Sequence, residues 1–217
     1  MRDAVSRLYA ALGKRGLIVG SSGNVSGRTP DGMVITPSGG DPETMTDLVA
    51  VSLDGVVPLG DVGTPSSEWA MHAAVYAACP QARFVVHTHA DASTALSCLG
   101  TGLPAFHYMV VQFGGSNVRC APYVTFGTPE LAEYAAEAIR GRSACLLGNH
   151  GMIVCAATAA EALSRAVLLE TLCRQYLLAL SAGTPRLLTE REMAAAEERF
   201  LTYGPRGGAV AVRDGMA

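Results

Sequence analysis

The sequence predicts a single α/β domain, and three observations predict it. Stretches with helical spacing alternate with short apolar runs, in the order helix, several strands, helix, strand, helix, strands, helices. No repeat of fixed period and no low-complexity linker divides the 217 residues. Apolar residues make up 49% of the chain and charged ones 16%, against ~25% charged in an ordinary soluble domain. A chain of this size and composition can bury a large core.

The elements follow in order. Arg2 to Arg15 places Val5, Leu8, Tyr9 and Leu12 on one face of a helix, which Gly13 and Gly16 end. The cluster Gly20-Ser21-Ser22-Gly23-Asn24 is a turn leading into the strand Val25 to Arg28. Thr29-Pro30-Asp31-Gly32 is a hairpin turn, and Met33 to Thr36 is the return strand. Pro37-Ser38-Gly39-Gly40 is a further loop, and Leu48 to Leu53 a short strand before the turn at Asp54-Gly55. Thr64 then stands as a helix N-cap with Pro65 in the first helical position, and that helix runs to about Ala78. Arg83 to His89 is rich in β-formers, and Asp91 to Leu96 is helical. Thr128-Pro129 opens a helix to about Arg140. Ala144 to Leu147 and Met152 to Ala156 are strands around Gly148-Asn149-His150-Gly151. Ala159 to Leu180 is a long helix, and Thr189-x-x-Glu192 is a capping box for the last one. Residues 204–217, rich in glycine, read as a flexible C-terminal tail on a single domain spanning 1–217.

Composition removes several functions. Net charge is -3 and the pI near 5.9, so no basic excess attracts nucleic acid. No apolar stretch approaches the ~20 residues of a membrane span. Met1-Arg2-Asp3 is not followed by an apolar region and cleavage site. The six cysteines are scattered without a CxxC pair and read as buried free thiols in a reducing compartment, which implies a cytoplasmic protein. Low charge on such a chain also suggests surface covered by further copies of itself. Neither GxGxxG after a strand, GxxxxGK[ST] nor GxSxG is present.

Histidine is the informative residue type. His87 and His89 stand two apart in a strand pattern, so both imidazoles share one face. That spacing suits two ligands of one metal ion, and equally two packed histidines at a strand edge. His150, between glycines in a strand connection, reads as a third ligand or as a turn histidine. Three protein ligands and an open position are the pattern of a catalytic zinc. His72 reads as structural, and His107 has no assigned role. Glu68, in the first turn of a helix, either complements the helix dipole or moves a proton beside a metal. Ser66 and Ser67 at that helix start would suit a phosphate, and the turns at Gly23-Asn24 and Ser38-Gly39 add polar donors. Lys14, the only lysine, reads as a solvated charge, which leaves no Schiff-base candidate.

Taken together, these blocks resemble the class II aldolase/adducin family. The resembling segments are Gly20 to Ser26, Ile35 to Gly39, Pro65-Ser66-Ser67-Glu68-Trp69 and Val85-Val86-His87-Thr88-His89-Ala90. They continue with Pro104 to Met109, Cys120 to Thr128, Asn149-His150-Gly151 and Thr202-Tyr203-Gly204, in family order over almost the whole chain. The resemblance implies a class II aldolase/adducin-like fold: one α/β domain on a central, mostly antiparallel sheet flanked by helices. It implies a homotetramer with active sites between subunits. It implies Zn2+, or another divalent metal such as Mn2+ or Co2+, on His87, His89 and His150, with Glu68 touching the metal in the empty site and serving as acid/base. Ser21, Asn24, Ser38, Gly39, Ser66 and Ser67 match phosphate-binding positions; Ser21 stands where relatives have threonine and keeps the hydroxyl. Tyr108 matches a tyrosine reaching a neighbouring subunit's site, Phe126 an aromatic wall and Tyr203 a tail residue assisting turnover.

The implied reaction is reversible cleavage of a ketose 1-phosphate to dihydroxyacetone phosphate and an aldehyde. The ketose is L-fuculose 1-phosphate or a 5-deoxy- or 5-methylthio-pentulose 1-phosphate. Rival readings inside the family are a methylthioribulose-1-phosphate dehydratase, a sugar-phosphate 4-epimerase and a decarboxylase. The epimerases carry Asp where Glu68 stands. A rival of another class, a non-catalytic adducin-like binding module, is disfavoured because all three metal histidines are present.

Overall fold

The computed structural model describes residues 1–44, 47–58, 61 and 63–203. The tail 204–217 lies outside the described residues. The chain runs α1 (Arg2–Gly13), β1 (Gly23–Thr29), β2 (Gly32–Ile35), β3 (Val49–Val51), α2 (Trp69–Ala78), β4 (Phe84–Thr88) and α3 (Asp91–Ser97). It continues through a 3-10 turn (Tyr108–Phe113), β5 (Arg119–Ala121), α4 (Pro129–Ile139), β6 (Ala144–Leu147), β7 (Gly151–Ala156), α5 (Ala159–Ala182) and α6 (Glu190–Leu201).

The strands form one seven-stranded sheet in the order β3-β2-β1-β4-β7-β6-β5. Every neighbouring pair is antiparallel except β5 and β6, so the sheet is mixed and mostly antiparallel, as expected. Helices cover both faces, and the strand residues alternate between two cores. Phe84, Val86, Met152, Val154, Ala144 and Leu146 point to the side packed by α1, α3 and α5. Val85, Ile153, Cys155, Cys145 and Leu147 point to the side packed by α2 and α4. Two apolar faces explain why β6 and β7 read as continuous apolar runs rather than as an alternation. Among the described residues no helix is long and apolar enough to cross a membrane.

Helix starts follow local chemistry. Thr128 accepts from the Leu131 amide with Pro129 in the first turn, Thr158 accepts from Glu161, and Thr189 with Glu192 completes the expected capping box. The expected start of α2 is corrected. Pro65 forms an isolated bridge with Pro37 instead of opening the helix. Neither proline has an N–H, so the flanking residues carry the bonds: Ser38 N donates to Thr64 O, and Ser66 N to Thr36 O. The helix begins only at Trp69, with Glu68 as its N-cap. The 3-10 turn and β5 had no sequence signal, being too short to show a period. The cysteines are all free, but Cys98 is exposed and Cys120 half-buried, so burial holds for four of the six.

Candidate active site

Four chain segments meet at one end of the sheet. His87 is the penultimate residue of β4, and His89 follows its last residue. Asn24 on β1 pairs directly with His87, which puts the two side chains on the face that α2 covers. His150 sits in the turn between β6 and β7. Asn149 makes that turn with φ +51°, a left-handed conformation that asparagine tolerates well. Ser97, at the end of α3, holds the turn by accepting from the amides of Asn149 (on its carbonyl, 3.3 Å) and His150 (on its hydroxyl, 3.3 Å).

Gly151 is required by a close approach. A Cβ there would stand 2.4 Å from the Thr88 carbonyl oxygen and 3.2 Å from His89 Cδ2. Gly151→Ala must therefore push β7 from β4 between two of the histidines. We expect a loss of about 1–3 kcal/mol in denaturant unfolding, the usual cost of overpacking, together with weaker metal retention. Wild-type stability in that variant would contradict the strain.

The three imidazoles stand pairwise edge-on, with ring centroids 4.8 Å apart in each pair. His87 Nε2 lies 2.9 Å from His89 Nε2. Glu68 Oε2 is 3.2 Å from His87 Nε2, and Oε1 is 3.3 Å from His150 Nε2. The ligand atoms of Glu68, His87, His89 and His150 all lie within 4.8 Å of one another. Burial drives the pKa of His87 and His89 down and that of His150 to about 4, so the rings are neutral at physiological pH. Burial also pushes the Glu68 carboxyl up, but His87, His150 and the Asn24 amide outweigh it and hold Glu68 below its ordinary value.

These facts test the donor set against a divalent cation. His87 Nδ1 is 2.9 Å from the Met152 carbonyl oxygen, so a neutral His87 spends its proton there. Its Nε2 lone pair then faces a carboxylate oxygen at 3.2 Å, two acceptors with no proton between them. Glu68 Oε1 is buried and has no hydrogen-bond donor. A cation among the four groups would satisfy all of these lone pairs, and three nitrogens and an oxygen suit zinc.

Beside this cluster opens a cavity of about 390 Å³. Its lining brings together Ser21, Asn24, Ser38, Gly39, Ser66, Ser67, Glu68, His89, Phe126 and His150. His87 lies beneath, fully buried. Five lining residues, Ser22, Pro37, Tyr123, Val124 and Asn149, were not singled out from the sequence. Tyr123 lies in a block whose only other aromatic side chain, Phe126, was singled out, so the signal was at hand. Among the described residues no Lys or Arg lines the cavity, and an anion there would meet hydroxyls and backbone amides of those residues. Ser66 contributes its side chain only, since its N–H is spent on Thr36 O. Asn24 is buried, and both ends of its amide are engaged by Glu68 and His72. A larger cavity, about 630 Å³, lies at the opposite end of β4 and β7 and contains no histidine.

Tyr108 and Tyr203 are not brought to this cavity within one chain. Both are exposed and share a separate aromatic cluster. Tyr108 stacks on His107 (4.6 Å) and on Phe200 (6.0 Å), and Phe200 meets Tyr203 edge-on at 6.2 Å. His107 caps the 3-10 turn by accepting from the Met109 amide.

Residues 3–177 match the family described as Class II Aldolase and Adducin N-terminal domain. The chain is 45% identical over 192 residues to L-fuculose phosphate aldolase of Escherichia coli O6:H1, covering 88% of this chain and 89% of that one. It is 44% identical over 189 residues to 5-methylthioribulose-1-phosphate/5-deoxyribulose-1-phosphate aldolase of Rhodospirillum rubrum, covering 87% and 86%. A solved structure of L-fuculose 1-phosphate aldolase superposes with a TM-score of 0.85 at 36% identity, covering 90% of this chain and 93% of the other.

Proposed function

The chain belongs to the class II aldolase and adducin family, and from that premise we propose that it is a metal-dependent ketose-1-phosphate aldolase. It cleaves L-fuculose 1-phosphate or a 5-deoxy- or 5-methylthio-pentulose 1-phosphate, reversibly, to dihydroxyacetone phosphate and an aldehyde. One observation carries this reading: a carboxylate and three neutral imidazoles converge at the floor of a cavity rimmed by hydroxyl-bearing turns. The named relatives are aldolases of these same ketose phosphates.

His87, His89 and His150 would hold the cation, zinc or in its place manganese or cobalt, with Glu68 as a further ligand before substrate enters. The bound cation supplies Lewis-acid stabilisation of the negative charge that develops on oxygen when the C3–C4 bond breaks. The chain's own groups do the rest. Ser21, Ser38, Gly39, Ser66 and Ser67, with Asn24 beside them, receive the phosphate and so fix the distance of C3 from Glu68. Phe126 walls the aldehyde side. As the bond breaks, its electron pair stays with C3, and the C4 hydroxyl proton leaves toward Tyr108 of a neighbouring subunit. Glu68, ionised in the free site, takes up the equivalent of that proton, passed on from Tyr108 through solvent in the cavity, and delivers it to C3, which completes dihydroxyacetone phosphate. Tyr203 assists from the tail. This arrangement needs a neighbouring subunit at each site, which a homotetramer with sites between subunits supplies, and the exposed aromatic cluster of Tyr108, Phe200 and Tyr203 supports it. The free thiols suit a cytoplasmic setting.

A coupled assay for dihydroxyacetone phosphate tests the reading with L-fuculose 1-phosphate and 5-deoxyribulose 1-phosphate as substrates. The expected result is release from at least one ketose, loss of release after dialysis against a chelator and recovery on adding Zn2+. An epimerised or dehydrated product without dihydroxyacetone phosphate would replace the aldolase assignment.

A further inference from the structure

Behind Glu68 runs a buried chain of hydrogen bonds. Tyr76 Oη is 2.9 Å from Ser26 Oγ, Ser26 Oγ is 2.7 Å from His72 Nδ1, and His72 Nε2 is 2.6 Å from Asn24 Oδ1. Asn24 Nδ2 donates to Glu68 Oε2 at 2.9 Å. Ser26, His72 and Tyr76 are wholly buried.

Only one assignment of protons satisfies every link while Glu68 is ionised. A carboxylate only accepts, so Asn24 must turn its Nδ2 toward Oε2 and its Oδ1 toward His72. His72 must then carry its proton on Nε2. The ring is wholly buried with a hydroxyl and an amide, not a carboxylate, on its two nitrogens, which favours the neutral form, and Nδ1 is therefore an acceptor. Ser26 donates to Nδ1 and accepts from Tyr76 at 2.9 Å, the Arg83 carbonyl at 3.5 Å being the more distant acceptor for the Tyr76 proton. Every donor points toward Glu68, and the chain ends on Oε2. The other oxygen, Oε1, has no donor. The reverse tautomer of His72 would turn the Asn24 carbonyl onto the carboxylate, placing two acceptors 2.9 Å apart.

We propose that His72 is a positioning residue: its Nε2–H fixes the Asn24 amide, which holds Glu68 by Oε2 and leaves Oε1 as the oxygen that works on the substrate. The proposal rests on the reading of Glu68 as the proton carrier. It makes the two oxygens of one carboxylate unequal and gives Asn24 a role through Glu68.

The test uses a pair of side chains that each mimic one ring nitrogen. Glutamine can place an amide N–H near Nε2, whereas asparagine reaches only the Nδ1 position. In the zinc-loaded enzyme, His72→Asn should lower kcat ~10–100-fold with KM for the ketose phosphate nearly unchanged, the scale seen when a partner behind a metal site is removed. His72→Gln should restore most of that loss. Independently, 15N NMR of histidine-labelled wild-type protein, metal-free and zinc-loaded, should find the His72 proton on Nε2. A proton on Nδ1 overturns the proposal. So does wild-type kcat in His72→Asn, or an equal kcat loss in both variants. If His72→Asn does not fold, the tautomer and the His72→Gln rate decide in the same senses. If the wild-type enzyme cleaves no ketose phosphate, the functional reading fails, and the tautomer still reports whether the chain is built as described.

Discussion

Glu68→Gln should lower kcat by ~10²–10⁴, or about 3–5 kcal/mol of transition-state stabilisation, while one metal per chain remains bound. The geometry makes this variant a clean probe. Asn24 Nδ2 selects an acceptor, so the new amide would turn its oxygen to Asn24 and its NH2 to the place of Oε1. That NH2 can neither accept nor deliver a proton at C3. The three imidazoles are untouched, and three protein ligands suffice for a catalytic zinc. KM for the phosphate end should move little, because the serine turns do not depend on the Glu68 charge. Steady-state kinetics with metal analysis of the same sample check both halves. Near wild-type turnover would remove Glu68 from the proton transfer, and loss of the metal would make it a ligand first.

His87→Ala should abolish the metal and with it detectable aldol cleavage. His87 is fully buried and bound to the Met152 carbonyl, so no neighbouring side chain can swing in to replace it. Its effect on stability should depend on metal. Without a cation, the substitution removes an acceptor that crowds Glu68 but leaves a cavity and takes the Met152 carbonyl's donor away, so the melting temperature should fall. With zinc in 100-fold excess over its Kd, wild-type protein gains about 2.7 kcal/mol by binding linkage. His87→Ala should show no such gain. Melting curves with and without added Zn2+, beside metal content, separate the two effects. A variant that keeps stoichiometric metal would show that the imidazoles of His89 and His150 with Glu68 are enough.

Much of this molecule was legible in the chain. The spacing of Val5, Leu8, Tyr9 and Leu12, the caps at Thr128 and Thr189 and the apolar runs of β6 and β7 are all local signals, and each element appears where those signals put it. The start of α2 shows where local signals mislead. Thr64-Pro65 has the chemistry of a helix start, but pairing with Pro37 takes those residues into an extended bridge, and the helix begins at Trp69. The competing partner is nearly thirty residues away in sequence, so no local pattern contains it.

The site divides the same way. Residue types by themselves left the metal reading open, because two histidines at strand spacing, a third in a glycine-flanked turn and a carboxylate at a helix start suit one cation or ordinary packing, and the family resemblance is what implied a ligand set. Only the tertiary structure decided how they meet. The pairing of Asn24 with His87 across β1 and β4 places an amide between Glu68 and His72, a histidine that read as merely structural. Side-chain periods of 2 and 3.6 residues say which face a residue occupies, but not which strand lies beside it. Strand register settles that, and with it the place of Asn24 between Glu68 and His72.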